Sequence, residues 1–597
     1  VKRWFQRALF RLRLVVRRSD QGALAALAVA LGLAVGLSVW LFQQGIKLFH
    51  AIFQTWLASE VLQPIVGAAA IVIALALAGA IVGWIVRRLI GHQELHGVAS
   101  VMEAVAFGGG QYPYRNMPAK ALASVISLGA GASVGPEDPS VQIGASLGSW
   151  FGSILRLHGN QLRLLVAAGV AAAIAAAFKA PIAGVFFALE IILNGTFDVK
   201  AFAVIVLAAV VSSGMTQALD PTLEMGPFNY SLGTPLEIPL FLPLGILLGF
   251  VSIGFIRLLY WQRERWDGIK NVPLPAKTAL AGAMVGVVAI FLPEIMGPGR
   301  EAINSVLSGE AHFTLVMLLV LGAAKLIMTT VSIGGGFVGG VFAPSLFIGT
   351  MFGAAYGRLL AVLLPSSAAG DVQAYAIAGM AAMLAGVVRS PITAILLVFE
   401  LTNDYRLILP IMLATVVCVY VAERMMEGVY HHGLARLGIR LPQGKEVDLL
   451  NRVMVGEAML TPAPVIDETA SLVDLRDRLR AQRTYSMVVL NADHQLRGIV
   501  TLTDLQRAYN ERGETDRTVG DIATKNVVTV APRDPVWLAV RRMSEADVGR
   551  LVVLEPETQS VVGLFGRQGV MRAYQLAAKP PARRRPGSQP QTSHRSR

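Results

Sequence analysis

The sequence predicts an α-helical, multi-pass membrane body of two repeated halves, followed by a small soluble α/β module. Three observations carry this prediction. The first is composition. Of 597 residues, 54% are apolar and 15% charged, with a mean hydropathy of +0.57, whereas soluble chains carry roughly a quarter charged residues. The second is a series of charge-free stretches: Gly22–Phe42, Gln63–Val86, Leu240–Phe255, Thr278–Leu292, Ala374–Val388 and Ile408–Ala422. Several reach or approach the roughly 20 apolar residues that cross a bilayer. The third is an internal repeat. Pro139-Ser140-x-x-Ile143-Gly144-x-x-x-Gly148 returns as Pro344-Ser345-x-x-Ile348-Gly349-x-x-x-Gly353. Ala180-Pro181-Ile182, running on to Glu190, returns as Ser390-Pro391-Ile392, running on to Glu400. Two matches in the same order at nearly equal offsets indicate homologous halves, about 23–219 and 238–426.

Composition excludes a collagen, a disordered chain and a disulfide scaffold. The single cysteine, Cys418, permits neither an intrachain disulfide nor a cysteine-based metal cluster. The net charge of +13 is unevenly placed. Lys2, Arg3, Arg7, Arg11, Arg13, Arg17 and Arg18 precede the first span, with Asp20 the one acid among them. Beside a membrane span, such a run reads as a cytoplasmic anchor of residues 1–21, not as a nucleic-acid arm. About twenty residues precede a span too long for a signal-peptide core, so a cleaved leader is not expected. From Pro442 the texture changes to a soluble mix of charge with short β-type runs, Ser486–Leu490 and Ser560–Leu564 among them. Residues 579–597, rich in Pro, Arg, Ser and Gln, read as a disordered basic tail.

The repeated segments Gly129–Gly148 and Gly334–Gly353 are interrupted by glycine and proline at matching places. Paired breaks of this kind point to a transport site near the bilayer midplane. Backbone released from a helix there must line a buried or watery cavity. Helix N-termini in such a cavity turn N–H groups and a positive dipole end toward an anion, whereas a cation route calls for carbonyl or carboxylate rings. The alternative is that the glycines merely let helices approach closely.

Gly135-Pro136-Glu137-Asp138-Pro139, Gly339-Gly340-Val341-Phe342-Ala343-Pro344 and Tyr430, in that order, resemble the motifs of the CLC chloride channels and transporters. Lys179-Ala180-Pro181-x-Ala183-Gly184 and Glu400-Leu401-Thr402 fit the same family, and the resemblance covers about 22–437. It implies an inverted-repeat helical fold and a homodimer with one anion pathway per subunit. It further implies chloride as the transported ligand, no required cofactor, both termini cytoplasmic, and a bacterial plasma (inner) membrane as the expected location. By resemblance, Glu137 falls on the gating glutamate, which competes with an anion for the outer site. Tyr430 falls on the anion-coordinating tyrosine. Val341 and Phe342, with Ala343 in the same turn, offer backbone N–H groups to the ion. The early anion motif is altered to Leu95-His96-Gly97-Val98-Ala99. His96 stands where the family usually has an ion-contacting serine, and imidazole still offers an N–H; a structural histidine is the other reading.

Three further departures bear on mechanism. Pro136 replaces the usual Arg or Lys and has no N–H to give. Asp138 replaces a glycine and sets a second carboxylate beside Glu137. Ile191 stands where proton-coupled members carry an internal glutamate. Glu190, one residue earlier, points about 100° away on a helix and shares its place with Glu400, which suggests a structural role at helix ends.

The soluble part is a second repeat. Gly456-Glu457-x-Met459-x-Thr461-Pro462 is echoed by Gly520-Asp521-Ile522, and Gly498-Ile499-Val500 by Gly563-Leu564-Phe565. This resembles a CBS-domain pair within 447–575, about 452–510 and 516–575. Such pairs bind adenine nucleotides through a Thr-x-x-Asp, present here as Thr501 and Asp504 but replaced by Gly566 and Gly569 in the second copy. One nucleotide half-site, or a purely structural module, follows.

Enzymatic signatures match only by letter. Gly438 to Lys445 has the wrong spacing for a phosphate loop, and Glu446 replaces its Ser/Thr. Gly131-x-Ser133-x-Gly135 and Gly144-x-Ser146-x-Gly148 lack the strand a nucleophile elbow needs. His92 and His96 have no third metal ligand, so neither metal nor catalysis is expected. Lys120, Lys179, Lys325 and Arg389 read as basic anchors at span ends. The expected function is gated, passive chloride conduction. Chloride/proton exchange by an unusual proton route is the nearest alternative, and a membrane-anchored nucleotide-sensing regulator is the alternative of another class.

Overall fold

A helix that is apolar all round has to be covered by protein or lipid. In the computed structural model, nine helices among the described residues are long and apolar enough to cross a membrane, and four shorter apolar helices accompany them. The described residues are 21–578 except 92–96, 107–108, 158, 196–198, 222–234, 310–312, 366–369, 437–449, 451–452, 483, 513–516 and 547. They fall into two units, 1–441 and 442–597.

The first half of the membrane unit begins with α1 (Gln21–His50), which runs on as a wider-turned helix to Val66. It continues with α2 (Ala69–Ile85), α3 (Val98–Ala106), α4 (Met117–Gly129), α5 (Glu137–Leu155), α6 (Asn160–Phe178), α7 (Pro181–Phe187, running on to Ile192) and α8 (Val199–Leu219). The second half supplies α9 (Phe241–Gly268), α10 (Leu274–Phe291), α11 (Arg300–Leu307), α12 (Leu315–Gly334), α13 (Phe342–Leu363), α14 (Val372–Val388), α15 (Pro391–Thr402), α16 (Ile408–Glu423) and α17 (Val429–Arg436). One charge-free stretch is not one helix. Gln63–Val86 is divided at Gly67, whose φ of 60° ends α1's continuation before α2 begins.

The two halves repeat each other in detail. Lys179 and Arg389 both take left-handed backbone conformations at the ends of α6 and α14. Proline then opens α7 and α15, where its missing N–H costs nothing. Gly144 of α5 lies against the Gly169 carbonyl of α6, and Gly349 of α13 lies against the Gly379 carbonyl of α14. A methyl group at either glycine would strike backbone. The glycines inside the repeated motif therefore serve close helix packing, and the chain breaks before them, at 130–136 and 335–341.

Glu190 and Glu400 link the halves reciprocally. Glu400 accepts hydrogen bonds from the Ile182 and Ala183 amides (2.9 and 2.7 Å) at the start of α7. Glu190 accepts from the Ile392 and Thr393 amides (3.0 and 2.8 Å) and the Thr393 hydroxyl (2.6 Å) at the start of α15. Each carboxylate thus neutralises the exposed N–H groups and positive end of the other half's helix.

In the soluble unit, β1 (Val465–Asp467), β2 (Ser486–Leu490) and β3 (Leu496–Thr501) form one sheet; β4 (Thr529–Val530), β5 (Arg550–Leu554) and β6 (Val561–Gly566) form another. In each sheet the first pair is parallel and the second antiparallel. Leu460 pairs with Leu564 of β6 and Thr524 with Ile499 of β3, so the lead-in of each copy joins the sheet of the other. Val488, Val552 and Leu564 pack between the sheets. The helices are α18 (Val455–Ala458), α19 (Leu472–Ala481), α20 (Leu502–Arg512), α21 (Val519–Ile522), α22 (Val536–Glu545) and α23 (Arg567–Ala578).

Candidate functional site

The two breaks meet. Gly135 and Gly340 exchange backbone hydrogen bonds, with N–H to carbonyl distances of 2.8 and 2.7 Å. This bridge brings the starts of α5 and α13 together, and the two starts are built alike. Glu137-Asp138-Pro139-Ser140 opens α5 and Phe342-Ala343-Pro344-Ser345 opens α13. The serine hydroxyls turn back onto the Pro136 and Val341 carbonyls at 2.8 and 2.7 Å. Proline at the third position of each helix has no N–H, so the free amide donors of each start lie in the residues just before it.

Glu137 is 1% exposed, and its Oε1 accepts the Ala343 amide at 2.8 Å. Its Oε2 is buried and has no hydrogen-bond partner among the described residues. A carboxylate at this place can be exchanged for another anion, because its partner is a neutral amide at a helix start. Pro136, standing where the family usually has Arg or Lys, brings no cation to this helix start. Two cations of the second half stand close enough to Glu137 to interact with it, Arg300 on α11 and Lys325 on α12.

Lys325 is therefore not an anchor at a span end. It lies midway along α12, fully buried, and its ammonium donates to the Ile295 and Gly297 carbonyls (2.8 and 2.5 Å) while lying 5.2 Å from the Phe347 ring centre. Lys120 is also buried, with its ammonium 6.0 Å from the Tyr112 ring centre. Arg389 donates to the Met426 carbonyl (2.8 Å) and to Gly386.

Tyr430, at the start of α17, is 5% exposed and donates its hydroxyl to Asp138 Oδ1 at 3.0 Å. The other Asp138 oxygen lies against Gly97, and the Val98 amide is a hydrogen-bond donor to the same carboxylate. Gly97 has φ of 67°, and a side chain there would collide with Asp138. Sequence reasoning singled out Asp138 as a neighbour of Glu137 but missed its pairing with Tyr430. His96 and His92 lie outside the described residues. Val341, Phe342 and Ala343 are all buried at the start of α13, with the Phe342 ring packed edge-on against Phe187.

Ile191 is 1% exposed, in the wider-turned end of α7 among Leu189 and Ile192. Glu190 beside it is engaged at the start of α15, as described above. Ser133, the serine of one hydrolase-like triplet, sits in the loop between α4 and α5 and shares a hydrogen bond with Thr329 (3.1 Å). Ser146, of the other, lies inside α5. Neither follows a strand, and the phosphate-loop-like stretch 438–445 lies outside the described residues.

In the soluble unit, Thr501 and Asp504 bond each other. Asp504 Oδ2 accepts the Thr501 amide (3.0 Å) and hydroxyl (2.6 Å), and the Asp504 amide donates to Thr501 Oγ1 (3.3 Å). The pair caps α20. In the second copy, a Cβ at Gly569 would meet the Phe565 ring and the Ala458 carbonyl, so that corner is filled.

A family model described as voltage gated chloride channel matches residues 78–423, and a CBS domain model matches 455–511 and 519–576. Among curated proteins, chloride channel protein CLC-f of Arabidopsis thaliana is 31% identical over 523 residues, 76% of this chain and 66% of that protein. CLC-e of the same plant is 28% identical, and 65% of it is covered, so the chain spans just under two thirds of these two relatives. The H(+)/Cl(-) exchange transporter ClcA of Vibrio vulnificus is 32% identical over 418 residues, 66% of this chain and 86% of that protein. Among solved structures, a slow cyanobacterial Cl-/H+ antiporter is 26% identical with a TM-score of 0.63, covering 69% of this chain and 97% of that one. A eukaryotic CLC transporter shares the fold at 20% identity and TM-score 0.61, covering 94% of this chain and 98% of that one. Two helix starts joined across an inverted repeat, a buried glutamate between them and a paired CBS module later in the sequence therefore have one explanation: the chain belongs to the CLC chloride channel and transporter family.

Proposed function

We propose that this protein passes chloride across its membrane passively, with Glu137 as the gate, and with Val341, Phe342, Ala343 and Tyr430 supplying donors along the anion path. His96, outside the described residues, is the proposed donor of the early motif. The observation that carries this reading is the Glu137 carboxylate on the Ala343 amide, with one oxygen left unpartnered. An anion of the chain itself occupies a helix-start position that a permeating anion needs. Passive movement follows from Ile191. A proton crossing a low-dielectric body needs titratable or watery stations, and isoleucine is neither. Exchange with protons is the second reading, favoured by Asp138, a second carboxylate within the pathway, and by the exchanger and antiporter names among the relatives.

The working unit is proposed to be a homodimer with both termini in the cytoplasm of a bacterium, the basic run at 2–18 being held there by the positive-inside rule. Thr501 and Asp504 are proposed to hold one adenine nucleotide, with no cofactor needed for transport itself. Liposomes reporting chloride and protons together test the central claim. Chloride movement down its gradient without uphill proton movement is expected, and Glu137→Gln should raise flux where the wild type is closed. A chloride gradient that drives protons uphill at a fixed ratio establishes exchange instead.

A further inference from the structure

A helix of two turns does not hold its own place, because below about 12–15 residues a helix depends on what it packs against. α17 has eight residues and carries Tyr430 in its first turn. One side chain of α9, Tyr260, meets it along its length. The Tyr260 hydroxyl donates to the Val429 carbonyl at 2.6 Å. The Tyr260 ring stands edge-on to His432 with centres 4.7 Å apart, and the Arg436 guanidinium lies 5.4 Å from the same ring centre. A Cβ at Gly433 would come within 2.5 Å of the Tyr260 hydroxyl oxygen, so the glycine makes room for it. Residues 429, 432, 433 and 436 follow the i, i+3, i+4, i+7 spacing of one helix face. Tyr430 and Leu434 fall on a neighbouring face, where Leu434 is fully buried and the Tyr430 hydroxyl reaches Asp138 of α5 at 3.0 Å. Arg436 also pairs with Glu264, one turn beyond Tyr260 on α9. The turn before α17 is fixed from another side: Arg389 donates to the Met426 carbonyl at 2.8 Å, and its stem fills the space beside Gly428.

We infer that Tyr260 is a positioning residue for anion binding: by seating one face of α17, it sets where the Tyr430 hydroxyl stands in the pathway. A donor serves an ion only at hydrogen-bond distance and near-linear angle, and a two-turn helix that slides or rolls on its seat carries the hydroxyl with it. The bond to the Val429 carbonyl fixes α17 along its axis, and the ring between His432 and Arg436 fixes its rotation. The inference rests on the reading of Tyr430 as an anion donor and adds the group that aims it.

Isothermal titration of the full-length protein in detergent with chloride, alongside its thermal unfolding midpoint, tests this. Tyr430→Phe removes the donor and should weaken chloride binding by roughly tenfold or more. Tyr260→Phe keeps the ring and loses only the bond to Val429. The Tyr430 donor is then displaced and not removed, so a loss of about threefold is expected. Gly433→Ala disturbs the same seat from the other helix and should weaken binding similarly. In the Tyr260→Phe background that alanine meets the ring no nearer than its Cζ atom at 3.6 Å, an ordinary contact, so the two changes together should cost little more than one. The decisive comparison is Tyr260→Phe made in the Tyr430→Phe background, where it should leave chloride binding unchanged, because no hydroxyl is left to aim. A purely structural loss moves both backgrounds alike and cannot produce that difference. The same comparison with Gly433→Ala covers any folding defect of Tyr260→Phe. If Tyr430→Phe binds chloride weakly while well-folded Tyr260→Phe binds as the wild type does, or loses affinity equally in both backgrounds, this inference alone is overturned. If Tyr430→Phe binds chloride as tightly as the wild type, the reading on which it rests is overturned.

Discussion

Glu190 offers the sharpest test of whether the carboxylates in this membrane body carry protons or hold helices. Glu190→Ala removes an acceptor that takes three hydrogen bonds, from the Ile392 amide, the Thr393 amide and the Thr393 hydroxyl. A hydrogen bond to a charged group contributes about 1.5–3 kcal/mol, and an anion at a helix start adds about 0.3–1 kcal/mol. The full sum is not lost, because Ile392 is 47% exposed and its amide can find other partners. A loss of about 3 kcal/mol is expected, in the upper range for one substitution. Glu190→Gln keeps an acceptor oxygen but not the charge, and neutral bonds have roughly half the strength, so about half that loss is expected. The assay pairs the thermal unfolding midpoint of the full-length protein in detergent with chloride and proton flux in liposomes. Graded destabilisation, Ala worse than Gln, with unchanged ion movement in the surviving fraction fits a clamp. A Glu190→Gln protein that unfolds like the wild type yet moves protons differently would refute the reasoning.

Other expectations follow from particular contacts. Gly349→Ala drives a methyl group into the Gly379 carbonyl and should cost about 1–3 kcal/mol; Gly214→Ala in α8 meets nothing within 4 Å and should be neutral or stabilising by up to about 1 kcal/mol, as read from unfolding midpoints. Asp504→Ala removes the acceptor from the cap of α20 and should destabilise the soluble unit by about 0.5–2 kcal/mol; equilibrium dialysis with ATP on the full chain should show any nucleotide binding lost with it. Asp521 is held below the usual aspartate range by hydrogen bonds from Thr518. Its stabilising effect is therefore complete above the unfolded value of 3.8 and fades as pH falls through the lower folded value. Asp521→Asn should flatten that acid-side loss in a pH titration of unfolding.

The repeat was legible because it involves residue types that repeat at fixed spacing: the two Pro-Ser starts, the two glycine pairs and the two glutamates. Identity at matched positions already pointed to a shared role for Glu190 and Glu400, and the helix starts they hold supply the physical reason. Partners brought together only by the fold were not legible. Tyr430 and Asp138 are 292 residues apart, and nothing local to either predicts the other. Lys325 looked like an anchor because a lysine in an apolar run usually reaches for water. Its acceptors are instead two carbonyls near α11, a contact that no periodicity can reveal. The glycines of the repeated segments Gly129–Gly148 and Gly334–Gly353 divide between two uses, Gly135 and Gly340 at the breaks and Gly144 and Gly349 in helix contacts, and the letter alone does not separate them.

The reciprocal clamps also constrain the order in which the molecule can be completed. When α7 leaves the ribosome, Glu190 has no partner, because its acceptor role awaits amides 202 and 203 residues further on. The amides of Ile182 and Ala183 likewise wait for Glu400 at separations of 218 and 217 residues, and Glu137 waits 206 residues for Ala343. The first half can thread its helices into the bilayer but cannot close any of these contacts alone. Completion is therefore a late, long-range event that joins two inserted halves. An interrupted chain ending before α13 would leave two glutamates, Glu137 and Glu190, and the start of α7 without their partners, a state marked by unsatisfied polar groups inside a bilayer.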